Sequence, residues 1–107
     1  MKILLVGSSS DIAHNLVNNF NSEFDFIELT STPSSSNQQQ INVQNEETYP
    51  KIDGEINGLV YFPGSINLRP FSGLKLADFQ ADYDINVLGL IKTLKHYHKH
   101  LAVDSSV

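Results

Sequence analysis

The stretch Val6-Gly7-Ser8-Ser9-Ser10-Asp11-Ile12-Ala13 decides how this chain is read. Residues 2–7, which lead into it, are a short, nearly continuous apolar run ending in glycine, the pattern of a strand buried on both faces. From Asp11 to Phe20 the pattern turns helical, with Ile12, Leu16, Val17 and Phe20 on one stripe and Asp11 placed to support the first turn. A glycine leaving a parallel strand permits a tight turn and lets a ligand approach the backbone. The free N–H groups and the dipole of the following helix favour a phosphate at that point, and Ser8, Ser9 and Ser10 add hydroxyl donors. No Gly-Lys-Ser/Thr follows, so the turn is not a Walker A loop. Taken alone, the same residues also describe an ordinary strand-to-helix turn with a serine-rich cap.

Working outward, Phe24 to Leu29 is rich in strand formers and reads as a second strand. Residues 30–40 are almost all Ser, Thr, Asn and Gln around Pro33, the composition of a long polar loop. Ile41 and Val43 flank Asn42 as a brief strand, and Glu46 to Ile52 is a short helix broken near Pro50. Ile56 to Phe62 is a further strand, ended by Pro63-Gly64. An irregular stretch then leads to the longest helical pattern, Asp78 to Leu101. Strands alternating with helices imply right-handed crossovers and a doubly wound parallel α/β sheet, here of about four strands. With 107 residues and no composition break, the chain is a single domain.

Composition removes several functions. The net charge is −5, and Arg69 is the lone arginine, so there is no basic footprint for nucleic acid or an anionic membrane. No apolar run is long enough to span a bilayer, and the apolar start is too short for a secretory signal. Without cysteine there is neither a disulfide framework nor thiolate chemistry. A cytoplasmic protein is the expectation. His96, His98 and His100 alternate near the end of the long helix, but with Lys95 and Lys99 between them and no acid nearby they read as a solvated helix end rather than a metal site.

The order of these features resembles the short-chain dehydrogenase/reductase family. That family opens on Thr-Gly-x-x-x-Gly-x-Gly; here Val6-Gly7 stands for Thr-Gly, and Asp11 and Ala13 occupy the places of the later glycines. Its Asn-Asn-Ala-Gly segment is represented by Tyr61-Phe62-Pro63-Gly64, followed by Ser65 and Ile66. The run Asp84-Ile85-Asn86-Val87-Leu88-Gly89 is similar to the family's helix, with Asn86 matching its active-site asparagine. The resemblance covers residues 1–107 and only the family's N-terminal half. It implies a Rossmann-like, NAD(P)-binding half-domain from an enzyme that oxidises an alcohol or reduces a carbonyl. On that reading Gly7, Ser8, Ser9, Ser10, Asp11 and Ile12 cradle the pyrophosphate, Asn42 and Val43 meet the adenine, and Phe62, Pro63 and Gly64 face the ribose side. Asn86 orders a proton relay.

Cofactor choice falls at the end of the second strand, where an acid would bind the ribose hydroxyls of NAD. Thr30, Ser31 and Thr32 stand there instead, with Glu28 two residues early. Hydroxyls suit a 2′-phosphate, so the expectation leans to NADP over NAD, with Ser31 and Thr32 as contacts. The family's chemistry also needs a serine and a Tyr-x-x-x-Lys, in which lysine lowers the pKa of the tyrosine acid/base. Four residues after Tyr49, Tyr61, Tyr83 and Tyr97 stand Asp53, Ser65, Val87 and Leu101. These 107 residues alone are therefore expected to be inactive, with a small-molecule substrate handled only by a full-length parent. The competing reading is a non-catalytic nucleotide-binding or oligomerisation module. A stripe of Phe79, Tyr83, Val87, Leu90, Ile91, Leu94 and Leu101 on the long helix, and an open edge on the last full strand, Ile56–Phe62, point to a homo-oligomer.

Overall fold

The computed structural model describes residues 1–65 and 68–107. Five strands, β1 (Lys2–Val6), β2 (Asp25–Thr30), β3 (Gln38–Gln40), β4 (Ile56–Tyr61) and β5 (Leu101–Ser106), form one sheet in the order β3-β2-β1-β4-β5, and every pairing is parallel. Helix α1 (Asp11–Phe20) links β1 to β2. The segment between β4 and β5 holds α2 (Leu76–Tyr83), a π-helical turn (Asp84–Leu88) and α3 (Gly89–Tyr97). This is the doubly wound Rossmann-like architecture, and it carries a fifth strand beyond the four that the hydropathy pattern marks out.

Strand alternation assigns the core. Leu4 and Val6 lie beside Ile27 and Leu29 of β2 and beside Leu59 and Tyr61 of β4, so these residues share one face of the sheet. That face packs on Tyr97 of α3 and on Ile41, Tyr49 and Ile52 of the β3–β4 connection. Leu5 is out of phase with its neighbours and fully buried on the other side, as is Ala13 of α1. The tyrosines are anchored by their hydroxyls: Tyr97 Oη donates to the Pro50 carbonyl at 2.7 Å and Tyr49 Oη to the Val43 carbonyl at 2.6 Å, with the two rings stacked 5.9 Å apart.

Four sequence expectations are corrected here. The third strand is Gln38–Gln40, inside the stretch read as loop, while Ile41 is a buried core residue just beyond it. An edge strand needs main-chain partners rather than apolar side chains, and Gln38–Gln40 pair with Glu28–Thr30. On α1, Ala13 takes the inward position and Ile12 is exposed, so the buried stripe runs through Ala13, Leu16 and Val17. The long helix starts at Leu76, not Asp78; the Asp78 carboxylate accepts from the Lys75 N–H at 2.9 Å as a first-turn residue. It ends at Tyr97 with a 3-10 turn at His98–His100, and Leu101 belongs to β5, so β4 is covered on that side by β5 and its edge is not open.

The helix stripe is divided between solvent and protein, with Leu90 and Leu94 half-buried. Phe79, Tyr83, Val87 and Ile91 face solvent, whereas the fully or nearly buried residues of α3 are Gly89, Thr93 and Tyr97. A π turn inserts one residue, which rotates everything after it by roughly 100° about the helix axis. A stripe drawn at uninterrupted 3.6-residue spacing through Leu90 and Leu94 therefore changes face.

β5 is the sheet's new edge. It meets β4 only irregularly, at Ile56↔Leu101 and Gly58↔Ser106, with Asp104 in the left-handed region (φ 65°) between them. Val103 is 92% exposed.

Burial raises the pKa of Tyr49, of Tyr61 (to about 12) and of Tyr97 above the usual 10, since the phenolate would lose water. Above pH 10 the unfolded chain releases protons that the folded chain keeps, so stability is intact below pH 10 and falls as pH rises through 12. Circular dichroism recorded with tyrosinate absorbance should show the ionisation of these three residues arriving together with unfolding. Full ionisation near pH 10 with unchanged ellipticity would contradict it.

Candidate functional site

The site begins where β1 stops. Gly7 turns the chain with φ 85°, and a Cβ at this position would lie 2.9 Å from both Cδ and N of Pro63. Only glycine satisfies both conditions. The Gly7 and Ser8 amides donate to the same Leu29 carbonyl, at 2.8 and 3.1 Å, and the Phe62 amide donates to the Val6 carbonyl at 2.9 Å. Three strand ends, β1, β2 and β4, are thereby drawn together around the turn. Ser10 caps α1: its Oγ accepts from the Ala13 N–H at 3.1 Å and its carbonyl from the His14 N–H at 3.0 Å.

This arrangement uses some amides and leaves others. Those of Ser9, Asp11 and Ile12 have no acceptor among the described residues. They lie at the positive end of the α1 dipole, where an anion is favoured. Beside them opens a cleft of about 640 Å³ lined by Gly7, Ser9, Ser10, Thr30, Ser31, Gln40, Ile41, Asn42, Val43, Gln44, Phe62, Pro63, Gly64 and Ile85. It lies at the carboxyl ends of the parallel strands, beside the first strand where the winding reverses, which is where such sheets bind ligands.

The sequence-predicted residues separate into three groups. Gly7, Ser9, Ser10, Ser31, Asn42, Val43, Phe62, Pro63 and Gly64 line the cleft. Asp11 and Ile12 adjoin it on the first turn of α1, with the Ile12 side chain exposed, and Thr32 reaches it through Ser9, whose Oγ lies 3.3 Å from the Thr32 hydroxyl. Ser8 is different: its side chain is fully buried behind the turn, with Oγ lacking a hydrogen-bond partner among the described residues, and it is not among the residues that line the cleft. Thr30, Gln40, Ile41, Gln44 and Ile85 line the cleft without having been assigned to it from sequence. Thr30 is the informative one. It is buried, its hydroxyl is 2.5 Å from Ser9 Oγ, and it accepts from the Thr32 amide at 3.2 Å, so it fixes the turn rather than meeting a ligand. Glu28 is engaged within the sheet, accepting from Gln38 Nε2 at 3.4 Å.

Asn86 does not line the cleft. It sits in the π turn, exposed rather than enclosed by its apolar neighbours, and its amide makes both hydrogen bonds that one backbone residue can offer: Oδ1 accepts from Ser65 N–H at 2.8 Å and Nδ2 donates to the Ser65 carbonyl at 2.9 Å. Ser65 Oγ also donates to Asp82 at 2.6 Å. Ile66 lies outside the described residues. Among the described residues no three His, Cys, Asp or Glu side chains come together as a metal group, and no helix is long and apolar enough to cross a membrane. His98 and His100 instead bond the carbonyls of Lys95 and Gly54 through Nδ1.

No family model and no curated protein matches the sequence. Solved structures do. A protein from Listeria innocua superposes with a TM-score of 0.83 at 18% identity, covering 98% of this chain and 52% of its own. Serine dehydrogenase from Escherichia coli gives 0.76 at 17%, covering 94% and 55%. A short chain dehydrogenase family protein from Francisella tularensis gives 0.78 at 16%, covering 97% and 48%. The chain has a short-chain dehydrogenase fold. It spans about half the length of the solved structures it matches.

The left-handed turn yields a direct expectation. Gly7→Ala should destabilise the fold by about 1–2 kcal/mol from backbone conformation alone, and by more once Pro63 is displaced. Urea unfolding of the variant measures this; an unchanged midpoint would mean that the turn does not carry the strain described.

Proposed function

We propose that the chain is the nucleotide-binding N-terminal part of an NAD(P)-dependent short-chain dehydrogenase/reductase, with a nicotinamide dinucleotide as its ligand. One observation carries this reading: the Ser9 amide, without an acceptor among the described residues, stands at a cleft whose floor, Gly7 under Pro63, excludes a side chain, and the equally unengaged amides of Asp11 and Ile12 follow it on the first turn of α1. In that reading the amides and the Ser10 end of α1 hold the pyrophosphate, Asn42 and Val43 border the adenine, and Phe62, Pro63 and Gly64 form the wall beside the ribose. The cofactor supplies a hydride acceptor or donor when bound. The protein residues orient it and exclude water along one side.

For the 2′ position, Ser31 and Thr32 offer hydroxyls, and the nearest acid on β2, Glu28, is held by Gln38. This supports NADP over NAD. Turnover of an alcohol or carbonyl would require a general acid of suitable pKa, which the family supplies through Tyr-x-x-x-Lys, and none of the four tyrosines here is followed by that lysine. Binding without turnover is the expected behaviour of residues 1–107. Calorimetry with NADPH and NADH tests it: heat should be detectable with both and affinity higher for NADPH. Absence of binding by either would remove the dinucleotide reading and leave the fold.

A second property is supported by a separate observation. Leu76, Phe79, Tyr83, Val87 and Ile91 are all exposed along α2, the π turn and α3, which favours self-association of the chain. The sedimentation coefficient should rise with concentration, and the double change Tyr83→Glu, Val87→Glu should hold it at the monomer value. A single monomer boundary at high concentration for the unaltered chain would contradict this.

A further inference from the structure

The wall of the cleft formed by Phe62, Pro63 and Gly64 is tied at both ends to two consecutive helix residues. At one end, the hydroxyl of Tyr61 donates to the Ile85 carbonyl at 2.6 Å. At the other, the backbone of Ser65 is bonded through both its N–H and its carbonyl to the Asn86 side chain. Both anchors lie in the π turn, where the Gly89 amide reaches back five residues to the Asp84 carbonyl instead of four to Ile85. The Ile85 carbonyl is thus released from its α-helical donor, and it is the acceptor that Tyr61 occupies.

We infer that Tyr61 is a positioning residue whose bond to Ile85 holds the π turn open and so keeps Asn86 on Ser65 and the 62–64 wall in place. Gly89 is the matching half of this device. A Cβ there would collide with the Tyr61 hydroxyl and approach Val43 Cγ2 to 3.1 Å, so the ring reaches the helix only because position 89 carries no side chain. The group suits a permanent donor: burial keeps the phenol protonated to about pH 12.

The test is Tyr61→Phe in the whole chain, which removes the hydroxyl and keeps the ring. Tyr97→Phe, which deletes a similar bond to Pro50 far from the turn, is the control for general loss of stability. The readout is NMR of the Asn86 side-chain amide. In Tyr61→Phe its protons should exchange with water about five- to tenfold faster and shift toward the values of a free asparagine, while Tyr97→Phe leaves them unchanged. An Asn86 signal unmoved in Tyr61→Phe, or moved equally in both variants, would overturn the inference. Should Tyr61→Phe fail to fold, the unaltered chain decides: the Tyr61 hydroxyl proton must appear as a slowly exchanging resonance with a cross-peak to the Gly89 α-protons, and its absence overturns the assignment. The Asn86 readout needs no ligand. A further loss of NADPH affinity in Tyr61→Phe would rest on the proposed function, so failure of the two ideas is distinguishable.

Discussion

The approach of Pro63 onto Gly7 is the constraint on which the rest of the site depends. At this contact the end of β1 and the end of β4 are too close for a Cβ to fit, and the chain must take a left-handed step to leave the strand. That step sends both the Gly7 and Ser8 amides to the Leu29 carbonyl, and it aims the first turn of α1 so that later amides have no acceptor among the described residues. A backbone that satisfies its own donors at one residue and abandons them at the next makes a place for an anion without any basic side chain. The chain's net charge of −5 therefore does not conflict with a phosphate-bearing ligand.

Local determinants are legible in the letters. The buried run of β1, the glycine after it and the extent of α1 are each written within a few residues, although the inward face of α1 is not, and Gly7 and its neighbours border one cleft. Distant determinants are not legible. Gln38–Gln40 look like loop because nothing in three glutamines favours a strand; their order comes from the exposed edge of β2. The π turn has no compositional marker, and its partner, Tyr61, lies 24 residues earlier in the chain. Without that marker the apolar stripe runs on through Leu90 and Leu94, which are half-buried, and the inward positions of Thr93 and Tyr97 go unread. Ser8 illustrates a subtler limit, since three serines in a row are equivalent as letters but one points into the protein, one contacts β2's end and one caps a helix.

The helix that follows β4 joins two tasks that its sequence keeps on separate faces. Gly89, Thr93 and Tyr97 form the inward side, small or hydrogen-bonded, with Thr93 Oγ1 donating to the Gly89 carbonyl at 2.7 Å and Tyr97 closing the core. Before and within the π turn, Asp82, Ile85 and Asn86 bond Ser65 and Tyr61 at the two ends of the cleft wall. The extra residue lets one continuous helical segment address the sheet at its far end and the wall of the cleft at its near end.

The two borders of the sheet differ in a way that gives it a direction of growth. On one side β3 is only three residues long and wholly glutamine, with Gln38 already spent on Glu28 and Ser34, so it offers little main chain to an added strand and no apolar surface to reward one. On the other, β5 is six residues long and shows Val103 to water. Of the two edges, β5 therefore presents the longer main chain and the more apolar surface. Asp104, in the left-handed region between the two points where β5 meets β4, makes that outer edge kinked where the opposite border is short.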